Sequence, residues 1–139
     1  MQKFTPAAKI LIVEDNEADI HLFREFFSDI RMLNEISWAR TGEEALRFVR
    51  EHRPEVVILD TILPLRDGFE VLGDIKADPD LRDINVILSV DTGELPYVKK
   101  HAPMADGYIQ KPIDFRNLVE VISRTDRFGV AIVRCDGHQ

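Results

Sequence analysis

The sequence alternates short apolar runs with segments of helical periodicity, and this alternation restricts the fold more than any other feature. Residues 10–13 and 56–59 are continuously apolar and rich in β-branched side chains, which is typical of strands buried on both faces. The predicted strands are 10–13, 36–39, 56–59, 84–88 and 107–109. Apolar residues at helical spacing predict helices at 16–30, from Thr41, between Asp67-Gly68 and Asp78-Pro79, at 94–102 and at 114–124.

Five strand–helix repeats with short connections predict an α/β fold, namely a doubly wound five-stranded parallel sheet with helices on both faces. Right-handed crossovers leave few topologies, and 2-1-3-4-5 is the common strand order for five strands. The 139 residues suffice for one domain, which we assign to residues 1–125. Residues 126–139 form a tail outside the repeats. Its run 128–133 is more apolar than a free tail should be, so an added edge strand, a docking arm and a homodimer contact all stay open.

Composition excludes several classes of protein. The net charge of −7 argues against a direct nucleic-acid partner, because such a surface needs basic residues to neutralise phosphates. Cys135 is the only cysteine, so neither an internal disulfide nor a cysteine-based metal site can be assembled. The first apolar run is too short for a signal peptide or a membrane span. We therefore expect a cytoplasmic protein without a membrane partner.

Polar residues follow four of the predicted strands at the point where each strand ends. Glu14-Asp15 follows the first strand and Asp60 the third, while Ser89 follows the fourth and Lys111 the fifth. Ligands bind to doubly wound sheets at the carboxyl ends of the strands, near the point where strand order reverses. Three acids, a hydroxyl and an ammonium are therefore expected to converge at one edge of the sheet.

Such a cluster of carboxylates predicts a metal ion and a phosphoryl group. Each close pair repels by about 4 kcal/mol at about 4 Å and an effective dielectric constant near 20. A hard divalent cation relieves that repulsion, and oxygen ligands with retained waters suit Mg²⁺. One carboxylate can then act as the nucleophile toward a phosphoryl group. Lys111 would neutralise the phosphoryl oxygens, and the Ser89 hydroxyl would donate a hydrogen bond to one of them.

These motifs, in this order, resemble the response regulator receiver family, whose members have a flavodoxin-like fold. The resemblance covers residues 8–124. It rests on Glu14-Asp15, on Asp60 with Pro64 and Asp67-Gly68, on Ser89, and on the segment Tyr108-Ile109-Gln110-Lys111-Pro112. By position, Asp60 resembles the phosphoacceptor, and Ser89 with Lys111 resembles the phosphoryl-binding pair.

The resemblance also implies a metal site and a switch. The implied Mg²⁺ ligands are Asp15, Asp60, the backbone carbonyl of Ile62 and, through water, Glu14. Tyr108 resembles the aromatic residue that changes rotamer together with Ser89. Glu14 departs from the more usual Asp, and Val90 replaces the usual Ala or Gly, so that its bulk is expected to narrow access to Asp60. Ile62 and Asp91 occupy positions that tune phosphoryl lifetime in the family.

The function that this resemblance implies is that of a stand-alone response regulator in a two-component system. A sensor histidine kinase would donate its phosphoryl group to Asp60, and the surface formed by residues 94–124 would then present a different face to a downstream protein. The chain would assist its own phosphorylation and dephosphorylation without being an enzyme that turns over a substrate. An aromatic residue followed by an aliphatic run in the tail is faintly similar to receivers that serve phytochrome-type kinases.

Two other functions stay open from the sequence. The first is a phosphorylation-independent pseudo-receiver, which Val90 favours and the full set of acids, hydroxyl and lysine opposes. The second is an Asp-nucleophile phosphatase resembling the haloacid-dehalogenase class. That class needs a second acid two residues after the nucleophile, whereas Asp60 is followed by Thr61-Ile62.

Overall fold

The computed structural model describes residues 8–28, 30–31, 34–125 and 133–134. Its five-stranded parallel sheet consists of β1 (Ala8–Val13), β3 (Asn34–Ala39), β4 (Val56–Asp60), β5 (Asn85–Val90) and β6 (Gly107–Gln110). The helices are α1 (Glu17–Ser28), α2 (Gly42–His52), α3 (Gly68–Ala77), α4 (Leu95–His101) and α5 (Phe115–Thr125). The strand order β3-β1-β4-β5-β6 confirms the predicted order 2-1-3-4-5, counted over these five strands.

The strands are buried because helices cover both faces of the sheet. One core cluster includes Leu11, Val57 and Leu88 together with α2 and α3, whereas the other includes Ile12, Ile58 and Ile87 together with α1 and α5. Alternate residues of β1, β4 and β5 therefore point into opposite cores, which explains why these strands are continuously apolar.

Local sequence fixes where the helices next to the sheet edge begin. The Asn16 side chain accepts a hydrogen bond from the backbone N–H of Asp19 at 3.0 Å and thereby caps α1. The Asp67 side chain caps α3 in the same way by accepting from the N–H of Glu70. The next position requires glycine, because a Cβ atom at Gly68 would lie 2.2 Å from the backbone oxygen of Asp60. The helix start is thus pressed directly against the end of β4.

A second, two-stranded sheet corrects the predicted end of the first helix, because α1 ends at Ser28 and Ile30 lies in a strand instead of in the predicted helix 16–30. β2 (Ile30–Arg31) pairs in antiparallel fashion with β7 (Val133–Arg134), so that part of the tail makes a strand contact with the segment after α1. β2 was not predicted. Residues 126–132 and 135–139 lie outside the described residues, and the division into a domain and a tail stays a prediction. None of the described helices has the length and apolar character that crossing a membrane requires.

Candidate functional site

Two of the predicted acids, Glu14 and Asp60, meet the predicted lysine at the carboxyl edge of the sheet. Lys111 Nζ lies 2.8 Å from Asp60 Oδ2 and 3.4 Å from Glu14 Oε1. Glu14 is 2% and Asp60 4% exposed, so both carboxyl groups are almost fully removed from water. β1 and β4 are adjacent and in register, with Val13 opposite Leu59, which brings the residues that follow them together.

Lys111 reaches inward because its backbone is fixed on both sides. Its N–H donates to the carbonyl of Val90 at 2.7 Å, and its carbonyl accepts from the hydroxyl of Thr92 at 2.6 Å. The bond to Pro112 is cis. The two hydrogen bonds tie the segment that follows β6 to the end of β5, and the lysine side chain extends across the edge toward β4 and β1.

Burial changes the protonation of Glu14. Removal from water, followed by the hydrogen bond to Asp60 and repulsion by its charge, raises the pKa of Glu14 from 4.5 to about 8. The charge of Lys111 and the backbone N–H of Asn16 lower the pKa of Glu14, but by less than burial and Asp60 raise it. Without a metal ion, Glu14 therefore favours its protonated form at neutral pH.

Lys111 has a third carboxylate partner that the sequence analysis did not assign to the site. Its Nζ donates to Asp19 Oδ2 at 2.8 Å, the same distance as to Asp60. Burial lowers the pKa of Lys111, but hydrogen bonds to Asp19 and Asp60 and the charges of Asp60 and Glu14 outweigh this, so the pKa lies above its usual value. The available signal was the spacing from Asn16, which places Asp19 in the first turn of α1 on the side of the sheet edge.

Ser89 stands beside the phosphoacceptor candidate, directly opposite Asp60 in the β4–β5 pairing. Its Oγ is buried and has no hydrogen-bond partner within the described part of the chain. Buried hydroxyl groups normally have a partner, because an unsatisfied one costs about 1–3 kcal/mol. An unpartnered hydroxyl next to Asp60 fits a donor that serves a bound oxygen atom.

The predicted metal ligands lie just after β1 and at the end of β4. The backbone N–H of Ile62 donates to Asp60 Oδ1 at 3.0 Å, which holds the Ile62 backbone at the site, while Asp15 is exposed at the end of β1. Within the described residues, no three acidic, histidine or cysteine side chains are already arranged as ligands around one point. Glu14 and Asp60 instead face the ammonium of Lys111, and the hard oxygen donors gathered here suit Mg²⁺ chemically.

Two further predicted positions lie in the core beside the site. Val90 is fully buried in the cluster formed with α2 and α3, which accommodates its bulk. Tyr108 is half-buried against the same cluster, and its hydroxyl donates to the carbonyl of Ala102 at 2.7 Å, just after α4. Burial, followed by the charge of Asp106, raises the pKa of Tyr108. The ring therefore links the end of α4 to β6.

Comparisons with known proteins agree with this architecture. A family model described as the response regulator receiver domain matches residues 10–123. The probable methanogenesis regulatory protein FilR2 of Methanothrix harundinacea is 32% identical, over 92% of this chain and 87% of that protein. Response regulator Rcp1 of Synechocystis is 29% identical over 92% of both chains.

Two solved structures are informative about ligands of similar proteins. The Mn²⁺-bound form of Rcp1 has a TM-score of 0.70 at 28% identity and covers 88% of this chain and 94% of that one. The phosphorylated cyanobacterial phytochrome response regulator RcpA has a TM-score of 0.71 at 31% identity and covers 85% and 90%. A metal-bound form and a phosphorylated form are thus recorded for proteins of this architecture.

Proposed function

The chain belongs to the response regulator receiver family of two-component signalling, and from that premise we propose that Asp60 accepts a phosphoryl group and thereby changes a protein-binding face. The observation that carries the proposal is the pairing of the buried Asp60 carboxylate with Lys111 at 2.8 Å, beside the unpartnered hydroxyl of Ser89. A nucleophile, a cation and a hydrogen-bond donor are the groups that transfer of a phosphoryl group requires.

The proposed donor is a phosphohistidine of a sensor histidine kinase. An Asp60 carboxylate oxygen attacks phosphorus, a new O–P bond forms, and the P–N bond to the imidazole breaks with its electron pair returning to nitrogen. Lys111 and Ser89 then bind two of the phosphoryl oxygens. Bound Mg²⁺, held by Asp60, Asp15, Glu14 and the Ile62 carbonyl, would supply further positive charge for these oxygens.

The proposed output is a shift of α4 and β6. Once Ser89 turns toward a phosphoryl oxygen, Tyr108 can follow into the space beside it, and its hydrogen bond to Ala102 breaks. α4 is weakly held, because its N-cap Glu94 makes no side-chain hydrogen bond, Pro96 occupies its first turn, and Val98 is the buried residue among its seven. Such an element is suited to take two arrangements.

The surface that would change includes an open groove of about 340 Å³ next to the site. Ile62, Phe69 and Tyr97 line it together with Asp91 and Glu94. Because Ile62 contributes both to this groove and, through its N–H, to the Asp60 carboxylate, events at Asp60 have a short path to the surface. We propose a cytoplasmic protein whose downstream target is another protein that reads this region and residues 94–124.

The test is uptake of phosphoryl from acetyl phosphate. Wild-type protein with Mg²⁺ should gain the mass of one phosphoryl group, acid-stable and base-labile, and Asp60→Asn should gain none. Absence of the mass shift in wild type would favour the pseudo-receiver, whereas steady release of phosphate from esters would favour the phosphatase. Comparing the proteins retained by the beryllofluoride-loaded and the unmodified form would then identify the partner.

A further inference from the structure

We propose that Asp19 is a positioning residue, which retains the Lys111 ammonium near the site when Asp60 is engaged by metal or phosphoryl. The inference rests on the proposed function and deepens it. Lys111 Nζ lies 2.8 Å from both Asp19 Oδ2 and Asp60 Oδ2, so the ammonium is shared between a carboxylate that reacts and one that does not.

The position of Asp19 does not depend on the reacting strand. It lies in the first turn of α1, where its N–H is bonded to the capping side chain of Asn16. Its side chain is largely buried, as is that of Lys111. The carboxylate is thus held by the helix itself, whereas the surroundings of Asp60 change when a metal or a phosphoryl group binds.

This arrangement matters because Lys111 must leave Asp60 Oδ2 during the reaction. The new O–P bond would form on the carboxylate that the ammonium contacts, and a bound Mg²⁺, which Asp60 would help to hold, would supply further positive charge there. With Asp19 present, one N–H of the ammonium stays bonded, and the group only has to pivot to reach a phosphoryl oxygen. Without the Asp19 charge, the ammonium remains on Asp60 and competes there with both the metal and the phosphoryl donor.

A purely structural role for Asp19 makes different predictions. An acid near the N-terminus of a helix stabilises that helix through its dipole, and any acid near the site attracts cations. Glu17 provides the matched control, because it lies in the same turn of α1, its side chain is 75% exposed, and it pairs with Arg40 instead of Lys111. Glu17→Gln and Asp19→Asn remove the same charge from the same turn, but only the second removes a lysine partner.

The experiment compares wild type, Asp19→Asn, Asp19→Glu and Glu17→Gln. Phosphorylation by acetyl phosphate with Mg²⁺ should slow by about tenfold or more in Asp19→Asn, as is typical when the partner of a site residue is removed. Glu17→Gln should stay within about twofold of wild type, and Asp19→Glu should restore part of the rate. Unfolding curves of all four proteins establish that the variants are folded.

Nuclear magnetic resonance of the Lys111 ammonium supplies a readout that a structural role would not change. In beryllofluoride-loaded wild type, its proton–nitrogen signal should be protected from exchange with water, and in Asp19→Asn this protection should be lost. Equal rates and equal protection in Asp19→Asn and Glu17→Gln would overturn the role of Asp19 while leaving phosphorylation of Asp60 intact. A wild type that takes up no phosphoryl would overturn the proposed function itself.

Discussion

Replacement of Glu14 by Gln is expected to remove a strong pH dependence from the stability of the metal-free protein. The pKa of Glu14 is about 8 in the folded protein and about 4.5 when the group is unperturbed. Between these pH values the folded state holds a proton that the unfolded state has released. Stability from this group is therefore fully present below pH 4.5, falls as the pH rises, and is lost above about pH 8.

The size of the effect follows from the displacement of the pKa. At about 1.4 kcal/mol for each tenfold change in proton affinity, the change from 4.5 to about 8 corresponds to an upper limit of about 5 kcal/mol. Water that enters the site when Glu14 ionises reduces this value. Gln has nearly the same shape and stays neutral, so Glu14→Gln should lose none of this stability on going from pH 5 to pH 9.

Urea unfolding in the presence of EDTA, at intervals from pH 5 to pH 9, measures the effect. The quantity of interest is the free energy of unfolding of Glu14→Gln minus that of wild type, which should rise with pH by several kcal/mol. Glu17→Gln is the control and should show no comparable rise, since its carboxylate is exposed. Parallel curves for wild type and Glu14→Gln would show that Glu14 is ionised in the folded protein and would refute the reasoning.

Three further predictions distinguish residues that serve the chemistry of the site from residues that stabilise the fold. Ser89→Ala should raise the free energy of unfolding of the metal-free protein by up to about 3 kcal/mol, because it removes a buried hydroxyl without a partner among the described residues. It should weaken beryllofluoride binding about tenfold or more, measured by titration, because the bound form uses the hydroxyl. Gly68→Ala should lower the free energy of unfolding by about 3 kcal/mol, because the added Cβ atom would clash with backbone atoms. Gly73→Ala is the control on the same helix. It should raise the free energy of unfolding by about 0.5–1 kcal/mol, because its Cβ atom would meet no other atom. Lys76→Met breaks the largely buried pair with Asp106 (2.8 Å) and should cost about 3–5 kcal/mol in urea unfolding without slowing phosphorylation in the remaining folded protein.

The fold could be predicted because each strand has its own signal. Continuous apolar runs such as 56–59 indicate strands covered on both faces, and the short connections leave one common order of the sheet. The convergence of Glu14, Asp60 and Lys111 follows from that order, because the carboxyl ends of neighbouring parallel strands meet at one edge. Topology alone thus predicts that residues at the strand ends lie close together, without any knowledge of side-chain contacts.

Other features depend mainly on tertiary packing, which local sequence patterns report weakly or not at all. Asp19 and Lys111 are far apart in the chain. They meet because α1 packs with the Asp19 side of the helix toward the segment after β6. The proton on Glu14 results from burial, which sequence spacing does not report. β2 and β7 contain two residues each, too few for a period of two to be recognised.

The charges at the sheet edge explain why one lysine can serve both the resting protein and its proposed reaction. Asp19, Asp60 and Glu14 face a single ammonium, so full ionisation would leave two negative charges uncompensated in a largely buried site. Protonation of Glu14 removes one of them, and what remains is an ammonium between two carboxylates. Glu14 and Asp60 would help to hold a divalent cation here, and its positive charge would favour the ionised form of Glu14. The affinity for Mg²⁺ should accordingly strengthen as the pH rises toward 8, and the Lys111 ammonium would stay close enough to bind a phosphoryl oxygen.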